Sequence, residues 1–238
     1  MVKRTKLLLL LGFLASPVAL AEPMKLLTFQ IPPLVEVSDR HAPTGYAIEV
    51  VQRMFERAGD DYELEIQPVK RAIRSAMDTR NTCVFPIDRS QEREASLSWI
   101  GPVSVSRHGF YSHPERPVSI RSLADARPYS IGSYLGSGVG EYLQSLDFNV
   151  HLATRNQLGL LMLQAGRVNL WISDTRSAPI IAKRLGIELG EPELVFFTTL
   201  RSLGCNRATD PARLQALETA LLELYDSGEL QSILKLEP

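Results

Sequence analysis

Short apolar runs alternate with amphipathic segments along the first hundred residues. Three apolar or alternating runs predict strands, at residues 25–29, 62–69 and 81–87. Two segments between them repeat apolar side chains at helical spacing, at residues 41–59 and 69–79. The first of these helices follows the Thr44-Gly45 turn, and Pro68 stands where the second begins. The order of strand, helix, strand, helix and strand predicts an α/β unit with a mostly parallel sheet.

A second series of the same kind follows Gly101-Pro102. Residues 103–113 are extended, and three further runs predict strands, at residues 129–133, 148–153 and 168–173. Helical patterns accompany them at residues 119–126, 135–146, 154–165 and 174–186. Thr154 and Gln157 have the spacing of a capping box for the third of these helices. An extended stretch at 192–206 precedes Asp210-Pro211, which predicts a cap for a helix at 214–226.

The two series predict two α/β lobes in one chain. No low-complexity linker separates them, and only the extended stretches near 103–108 and 200–206 can connect them. We therefore expect lobe 1 to comprise residues 22–104 and 203–238, and lobe 2 to comprise residues 105–202. A cleft between lobes, near the carboxyl ends of strands, is where ligands bind in such folds.

The first residues predict a secretory signal peptide at 1–21. Lys3, Arg4 and Lys6 precede a short apolar core, and the small-residue pattern Ala-Leu-Ala ends at Ala21. This order favours cleavage after Ala21 and places the mature protein in the periplasm. A permanent membrane anchor is the alternative, but the apolar run is shorter than the roughly 20 residues of a membrane-spanning helix.

Charge and cysteine content narrow the range of partners. The chain has a formal net charge of −1, and removal of 1–21, which contains three basic and no acidic residues, changes it to −4. This balance argues against nucleic acid or an anionic membrane as a partner. The two cysteines, Cys83 and Cys205, can form a disulfide in an oxidising compartment or remain buried thiols. They and the four scattered histidines do not have the spacing of a zinc site.

Four segments, in this order, resemble one known family. They are TGYAIEVVQRMFERAG (44–59), SQEREASLSW (90–99), SLADARPYSIGSYLGSG (122–138) and GRVNLWISD (166–174). With the signal peptide they resemble the extracytoplasmic solute-binding proteins of the type II fold, in the amino-acid-binding branch (family 3) that serves bacterial ABC importers. The resemblance implies two mostly parallel sheets joined by a two-stranded hinge. It also implies a monomer that binds a small polar solute without a cofactor or catalysis and delivers it to a membrane permease.

The resemblance further implies a ligand site between the lobes. Arg93 corresponds to the family's carboxylate-binding arginine, and Asp174 corresponds to its ammonium-binding aspartate. A guanidinium can give a carboxylate two parallel hydrogen bonds, and the backbone N–H groups of Ser137 and Gly138 would add donors at a helix start. The alternatives are that Arg93 pairs with Glu92, Glu94 or another surface acid, and that Asp174 only caps the following helix.

The strand before Arg93 departs from the family pattern. Where the family often has small hydroxyl residues, this chain has Phe85 and, closer to the arginine, Asp88. Both are candidate ligand contacts, although Asp88 would repel a ligand carboxylate if it faced the cleft. The strand of Cys205 pairs in the family with the strand of Cys83, which predicts a disulfide between them.

The resemblance specifies the fold more narrowly than the ligand, so two other functions stay open. One is a periplasmic enzyme of the dehydratase kind on the same scaffold. It would need a cleft acid with a raised pKa, for which Asp88 is the candidate. The other is a soluble sensor that reports a ligand to a membrane receptor.

Overall fold

The computed structural model describes residues 22–38 and 40–234, and the predicted signal peptide at 1–21 lies outside them. Within the described part of the chain, no helix combines the length and apolar character that a membrane span requires. The strands are β1 (Met24–Thr28), β2 (Tyr62–Ile66), β3 (Thr82–Asp88), β4 (Leu97–Tyr111), β5 (Ile131–Tyr134), β6 (Val150–Ala153), β7 (Leu170–Asp174) and β8 (Leu194–Asn206). The α-helices are α1 (Tyr46–Ala58), α2 (Val69–Asp78), α3 (Gln91–Glu94), α4 (Gly138–Ser145), α5 (Asn156–Gln164), α6 (Ser177–Leu185), α7 (Pro211–Asp226) and α8 (Glu229–Leu234). The helix predicted at 119–126 is a short 3₁₀ helix at Leu123–Ala126.

The eight strands of the described chain form one mixed sheet in the order β2-β1-β3-β8-β4-β7-β5-β6. At one end β1 runs parallel to β2 and β3, and at the other end β5 runs parallel to β6 and β7. The long strands β4 and β8, which we call the hinge strands, lie between these ends and run antiparallel to each other. The predicted fold is therefore confirmed: two mostly parallel halves are joined by two extended connections, which make them one continuous sheet.

Buried apolar side chains form separate cores at the two ends of the sheet. One core contains residues of β1, β3, α1, α2 and α7. Two more cores lie around β7, where Leu170 and Ile172 join one cluster and Trp171 joins the other, as expected when successive side chains of a strand point to opposite faces. We call the first end lobe 1 and the second lobe 2. The exact lobe boundaries stay predictions from the sequence.

The helix starts agree with the sequence in one case and differ in another. Asp210 caps α7 with its side chain, as predicted. The predicted capping box of Thr154 and Gln157 is wrong, because α5 begins at Asn156 without a side-chain cap. The Asn156 side chain instead accepts a hydrogen bond from the Trp171 indole at 3.1 Å, which ties the start of α5 to β7.

A disulfide joins β3 to β8. Cys83 and Cys205 are opposite each other in the antiparallel register, and their sulfur atoms are bonded. Both side chains are fully buried in the core of lobe 1. The predicted disulfide is therefore present, and it fixes the end of β8 to lobe 1 where the chain returns from lobe 2.

Candidate functional site

Four titratable side chains are buried where β3, β8, β4 and β7 run side by side. Asp88 on β3 is opposite Arg201 on β8, and His108 on β4 is opposite Asp174 on β7. Their exposed fractions are 3%, 1%, 2% and 6%, in the order Asp88, Arg201, His108, Asp174. Burial of such groups is unfavourable unless they are paired or hydrogen-bonded. Their presence at the middle of the sheet marks this region as the candidate site.

Asp88 reaches across from lobe 1 to lobe 2. Its Oδ2 accepts a hydrogen bond at 3.1 Å from the N–H of Gly138, the first residue of α4. Its Oδ1 lies 3.7 Å from Arg201 Nη2. Burial alone would raise the pKa of Asp88, but the nearby Arg201 guanidinium and the hydrogen bonds to the carboxylate outweigh it, and the pKa lies below its usual range. Asp88 is therefore ionised, and it faces the boundary between the lobes.

The contact between Asp88 and α4 requires a residue without a side chain at position 138. A Cβ atom on Gly138 would lie 2.7 Å from Asp88 Cβ and 2.9 Å from Asp88 Oδ2, which is closer than packed atoms approach. The hydroxyl of Ser137 accepts the N–H of Gly140 and so caps α4. The N–H of Gly138 therefore binds a carboxylate of the chain itself, and the N–H of Ser137 donates to the carbonyl of Tyr134 at 3.1 Å. The predicted contacts of Ser137 and Gly138 with a ligand stay predictions.

Arg93 is buried between the lobes and binds groups on both of them. Its Nη1 donates to the carbonyl of Asp88 at 3.2 Å, and its Nη2 donates to the carbonyl of Gly136 at 3.2 Å. Nη2 also forms an ion pair with Glu141 Oε2 at 2.5 Å. Because Glu141 lies in α4 of lobe 2, the Arg93 pair links lobe 1 to lobe 2.

Among the described residues, neither Glu92 nor Glu94 forms an ion pair with Arg93. Glu94 pairs instead with Arg89, which donates to it from Nε at 2.8 Å and from Nη2 at 2.6 Å. Glu141 is the partner that the sequence does not indicate, since a helix in the other lobe is brought to Arg93 only by the complete fold. Its position in the first turn of α4 is the one local signal, because acidic residues are favoured there.

Asp174 ends β7 and holds the start of α6. Its Oδ1 accepts the N–H groups of Arg176 and Ser177, both at 2.9 Å. The capping alternative for Asp174 is therefore realised. Its role toward a ligand stays a prediction, and it is compatible with this geometry because both of these hydrogen bonds use the same oxygen.

Arg201 is a central residue that the sequence pattern does not single out. Its Nε donates to Ser106 Oγ at 2.6 Å, and its Nη1 donates to the carbonyl of Pro86 at 3.3 Å. Together with the ion pair to Asp88, these contacts fix the guanidinium between β3 and the hinge strands. A lone arginine within the otherwise uncharged end of an extended segment is the only sequence signal of this role.

His108 is neutral in the same buried group. Burial lowers the pKa of its imidazole, and this effect exceeds the opposing influence of the Asp88 and Asp174 carboxylates. Its Nε2 lies 3.1 Å from Thr199 Oγ1, whereas Nδ1 is buried and has no hydrogen-bond partner among the residues that the structure describes. Histidine at this place adds a polar group that can donate or accept a hydrogen bond without adding a charge.

Further contacts hold the two lobes against each other. The Ser177 hydroxyl on α6 donates to the carbonyl of Pro32 in lobe 1. Arg176 donates to the carbonyl of Leu234 at 3.1 Å, and Arg184 forms an ion pair with Glu36 at 2.7 Å. The lobes are therefore closed on each other in this structure.

Phe85 lies in the apolar core of lobe 1 rather than among the charged groups. Its side chain is 1% exposed, and its carbonyl accepts a hydrogen bond from Thr28 Oγ1 at 2.9 Å. Its predicted contact with a ligand stays a prediction, and packing is the role that its surroundings favour. Among residues 22–38 and 40–234, no cluster of three or more His, Cys, Asp or Glu side chains could hold a metal ion.

The fold is shared with solved structures of binding and sensing proteins. A histidine kinase sensor domain with similarity to periplasmic binding proteins superposes with a TM-score of 0.78 at 15% identity, over 89% of this chain and 93% of that chain. An ancestral arginine-binding protein bound to arginine gives 0.74 at 16% identity, over 90% and 96% of the two chains. ArtJ, the arginine-, lysine-, histidine-binding protein from Geobacillus stearothermophilus, gives 0.76 at 17% identity, over 90% and 94%.

At these identities the structural likeness shows the fold, and the family follows from the sequence itself. Comparison with curated proteins gives no significant match. Residues 28–236 match the family described as bacterial extracellular solute-binding proteins, family 3. This match covers most of the chain and confirms the resemblance carried by the four sequence segments. The chain belongs to the bacterial extracellular solute-binding proteins of family 3.

Proposed function

We propose that the protein binds a small, amino-acid-like polar solute between its lobes and presents it to a membrane partner, the permease of an ABC importer. The observation that carries this proposal is the meeting of charged groups from both lobes at the centre of the sheet. Arg93 of lobe 1 pairs with Glu141 of lobe 2, and Asp88 binds the start of α4. Family membership supports solute binding, and the predicted signal peptide supports action in the periplasm.

The mechanism that fits this geometry is closure of the lobes about the hinge strands. A ligand that contacts both lobes binds the closed form more tightly and shifts the population toward it. Arg93 stabilises the closed form through its contacts with Gly136 and Glu141. Asp174 offers a carboxylate to an ammonium group of the solute. The arginine-binding protein and ArtJ, which share the fold, support an amino-acid-like solute.

A sensor role is the second candidate, and one observation favours it. The fold superposes with a histidine kinase sensor domain as well as it does with the substrate binding protein of an amino acid ABC transporter. In that case the closed protein would contact a membrane receptor instead of a permease. The enzyme alternative is less favoured, because the lowered pKa of Asp88 makes this residue a poor proton donor at neutral pH.

A thermal-shift screen of amino acids, polyamines and small acids tests the proposed function on the protein without residues 1–21. A solute present at about 100 times its Kd stabilises the folded state by roughly 2.7 kcal/mol, which is a Tm increase of about 5–10 °C for a chain of this size. We expect at least one small solute to reach this shift. If no compound of the three classes raises the Tm of the folded protein, the proposed function is wrong.

Arg93→Ala is expected to weaken binding of the best compound from this screen by about 2 kcal/mol, or roughly 30-fold in Kd. The variant removes the interlobe pair with Glu141, whose side chain is 32% exposed. Because this pair is partly accessible to water, the loss of affinity should be smaller than for a fully buried charge pair. Arg93→Lys should recover only part of the affinity because it lacks the forked donor geometry.

The neighbouring Arg89→Ala is the matched control, since Arg89 pairs at the surface with Glu94. Titration calorimetry on the three variants and the wild type measures the effect. An Arg93→Ala protein that is folded and binds with wild-type affinity would place Arg93 outside the binding mechanism.

A further inference from the structure

The donors that would receive a ligand carboxylate are already occupied by carboxylates of the chain. The N–H of Gly138 at the start of α4 binds Asp88, and the guanidinium of Arg93 binds Glu141. A helix start and an arginine are the two donor types that proteins most often use for a carboxylate. In this structure each of them is satisfied by a residue from the opposite lobe.

Asp88 is held firmly in this position. Its carboxylate is buried, lies 3.7 Å from the equally buried Arg201 guanidinium, and occupies the space left by the missing side chain of Gly138. A ligand carboxylate that took the same N–H would have to displace Asp88 and would leave two carboxylates side by side. Such an arrangement is unfavourable because like charges repel strongly in a buried site.

Two of the buried polar atoms at this site can accept a hydrogen bond when His108 carries its proton on Nε2. Asp88 Oδ1 and His108 Nδ1 are both buried, and within residues 22–38 and 40–234 neither atom has a hydrogen-bond partner. His108 is opposite Asp174 in the register of β4 and β7, and the carboxylates of Asp88 and Asp174 both act to raise its pKa. Arg201 Nη2 likewise has no hydrogen-bond partner in the described part of the chain, but it lies 3.7 Å from Asp88 Oδ1 and belongs to that ion pair. An ammonium group, which donates three hydrogen bonds and carries a positive charge, suits these acceptors.

We infer that the solute is a small amine without a carboxylate, and that Asp88 supplies from the protein the carboxylate that an amino acid would bring. This inference rests on the proposed function and narrows its ligand from amino-acid-like solutes to the corresponding amines. The positive solute would bind among Asp88, His108 and Asp174. The Asp88 contact with Gly138 and the Arg93 pair with Glu141 would stay intact in the complex.

Pairs of compounds that differ only by a carboxylate test the inference on the wild-type protein. Agmatine, cadaverine and histamine are the amines that correspond to arginine, lysine and histidine. Titration calorimetry at pH 7.5 should show at least one amine binding ten or more times more tightly than its amino acid. The inference is overturned if the amino acid of every binding pair is the tighter ligand, or if none of the three amines binds.

The Asp88→Ser variant adds a second test. Removal of the internal carboxylate should strengthen binding of the amino acid by tenfold or more and abolish the preference for its amine. The matched control is Asp78→Ser, because Asp78 lies at the surface and pairs with Arg74. An Asp88→Ser protein that folds and keeps the wild-type preference contradicts the role given to Asp88.

These experiments distinguish failure of the amine inference from failure of the proposed function. If the thermal-shift screen finds only solutes that carry a carboxylate, the protein does bind small solutes but the inference of an amine ligand is wrong. If no small solute binds the wild type or Asp88→Ser, the proposed function itself fails.

Discussion

Replacement of Arg201 with methionine is expected to lower the free energy of unfolding by about 3–5 kcal/mol at neutral pH. The substitution removes the only guanidinium within 4 Å of the buried Asp88 carboxylate among the described residues. It also removes the hydrogen bonds to Ser106 and to the carbonyl of Pro86. The main cause of the loss is an ionised carboxylate left in a buried site without its charged partner. Urea unfolding of the two proteins at pH 7 measures the difference.

The pH dependence gives this prediction a second measurement. In the wild type the pKa of Asp88 is lowered, so its contribution to stability is present above the unfolded pKa of about 3.9 and is lost as pH falls through the folded pKa. In Arg201→Met, burial is no longer opposed by Arg201, and we expect the pKa of Asp88 to rise above its unfolded value. The stability deficit of the variant should therefore be largest near neutral pH and become smaller toward pH 4.

Two further variants separate the buried pair from a general effect of losing an arginine. Arg207→Met is the matched control, because Arg207 is exposed and its one hydrogen bond within the described residues goes to the carbonyl of Ala95. It should change the unfolding free energy by no more than about 0.5 kcal/mol. The double variant Asp88→Asn/Arg201→Met should recover part of the loss, since no unpaired charge remains buried. A cost of Arg201→Met as small as that of Arg207→Met would contradict the account.

The fold could be predicted from the sequence because the patterns that indicate its helices and strands lie within short segments. The buried positions of α1 recur at helical spacing, and the short strands of each half are separated by turns and helices of ordinary length. The boundaries were less accurate where tertiary contacts decide them. β4 begins at Leu97, six residues before the predicted extended segment at 103–113, because it pairs with the end of β8 across the core of lobe 1. Likewise, α5 begins where Asn156 contacts β7.

Only part of the candidate site could be predicted from the sequence, because the site combines residues from distant parts of the chain. Arg93 and Asp174 stand in segments whose local pattern resembles the family, and the structure places Arg93 between the lobes. Their actual partners come from distant parts of the chain. Glu141 and Arg201 reach the site through the packing of α4 and the register of β8, and a sequence pattern contains no information on which side chain a folded strand places opposite Asp88.

The disulfide between β3 and β8 should contribute about 3–5 kcal/mol to stability, so the Cys83→Ala/Cys205→Ala variant is expected to lose that amount. The bond joins residues 122 positions apart, and the chain-entropy estimate for a loop of this length is about 5 kcal/mol, from which native-state effects usually subtract. Because the cross-link restrains the unfolded chain, its removal should also increase the denaturant dependence of the unfolding free energy.

Urea titrations of the oxidised wild type, the fully reduced wild type and the double variant separate the cross-link from packing. Both side chains are fully buried in the lobe 1 core, so the double variant loses sulfur atoms as well as the bond, whereas the reduced wild type loses the bond alone. If the entropy of the loop dominates, reduction and substitution should lower stability by similar amounts. The prediction is wrong if reduction changes neither the unfolding free energy nor its denaturant dependence. In that case the pairing of β8 with β3 alone holds the returning chain on lobe 1.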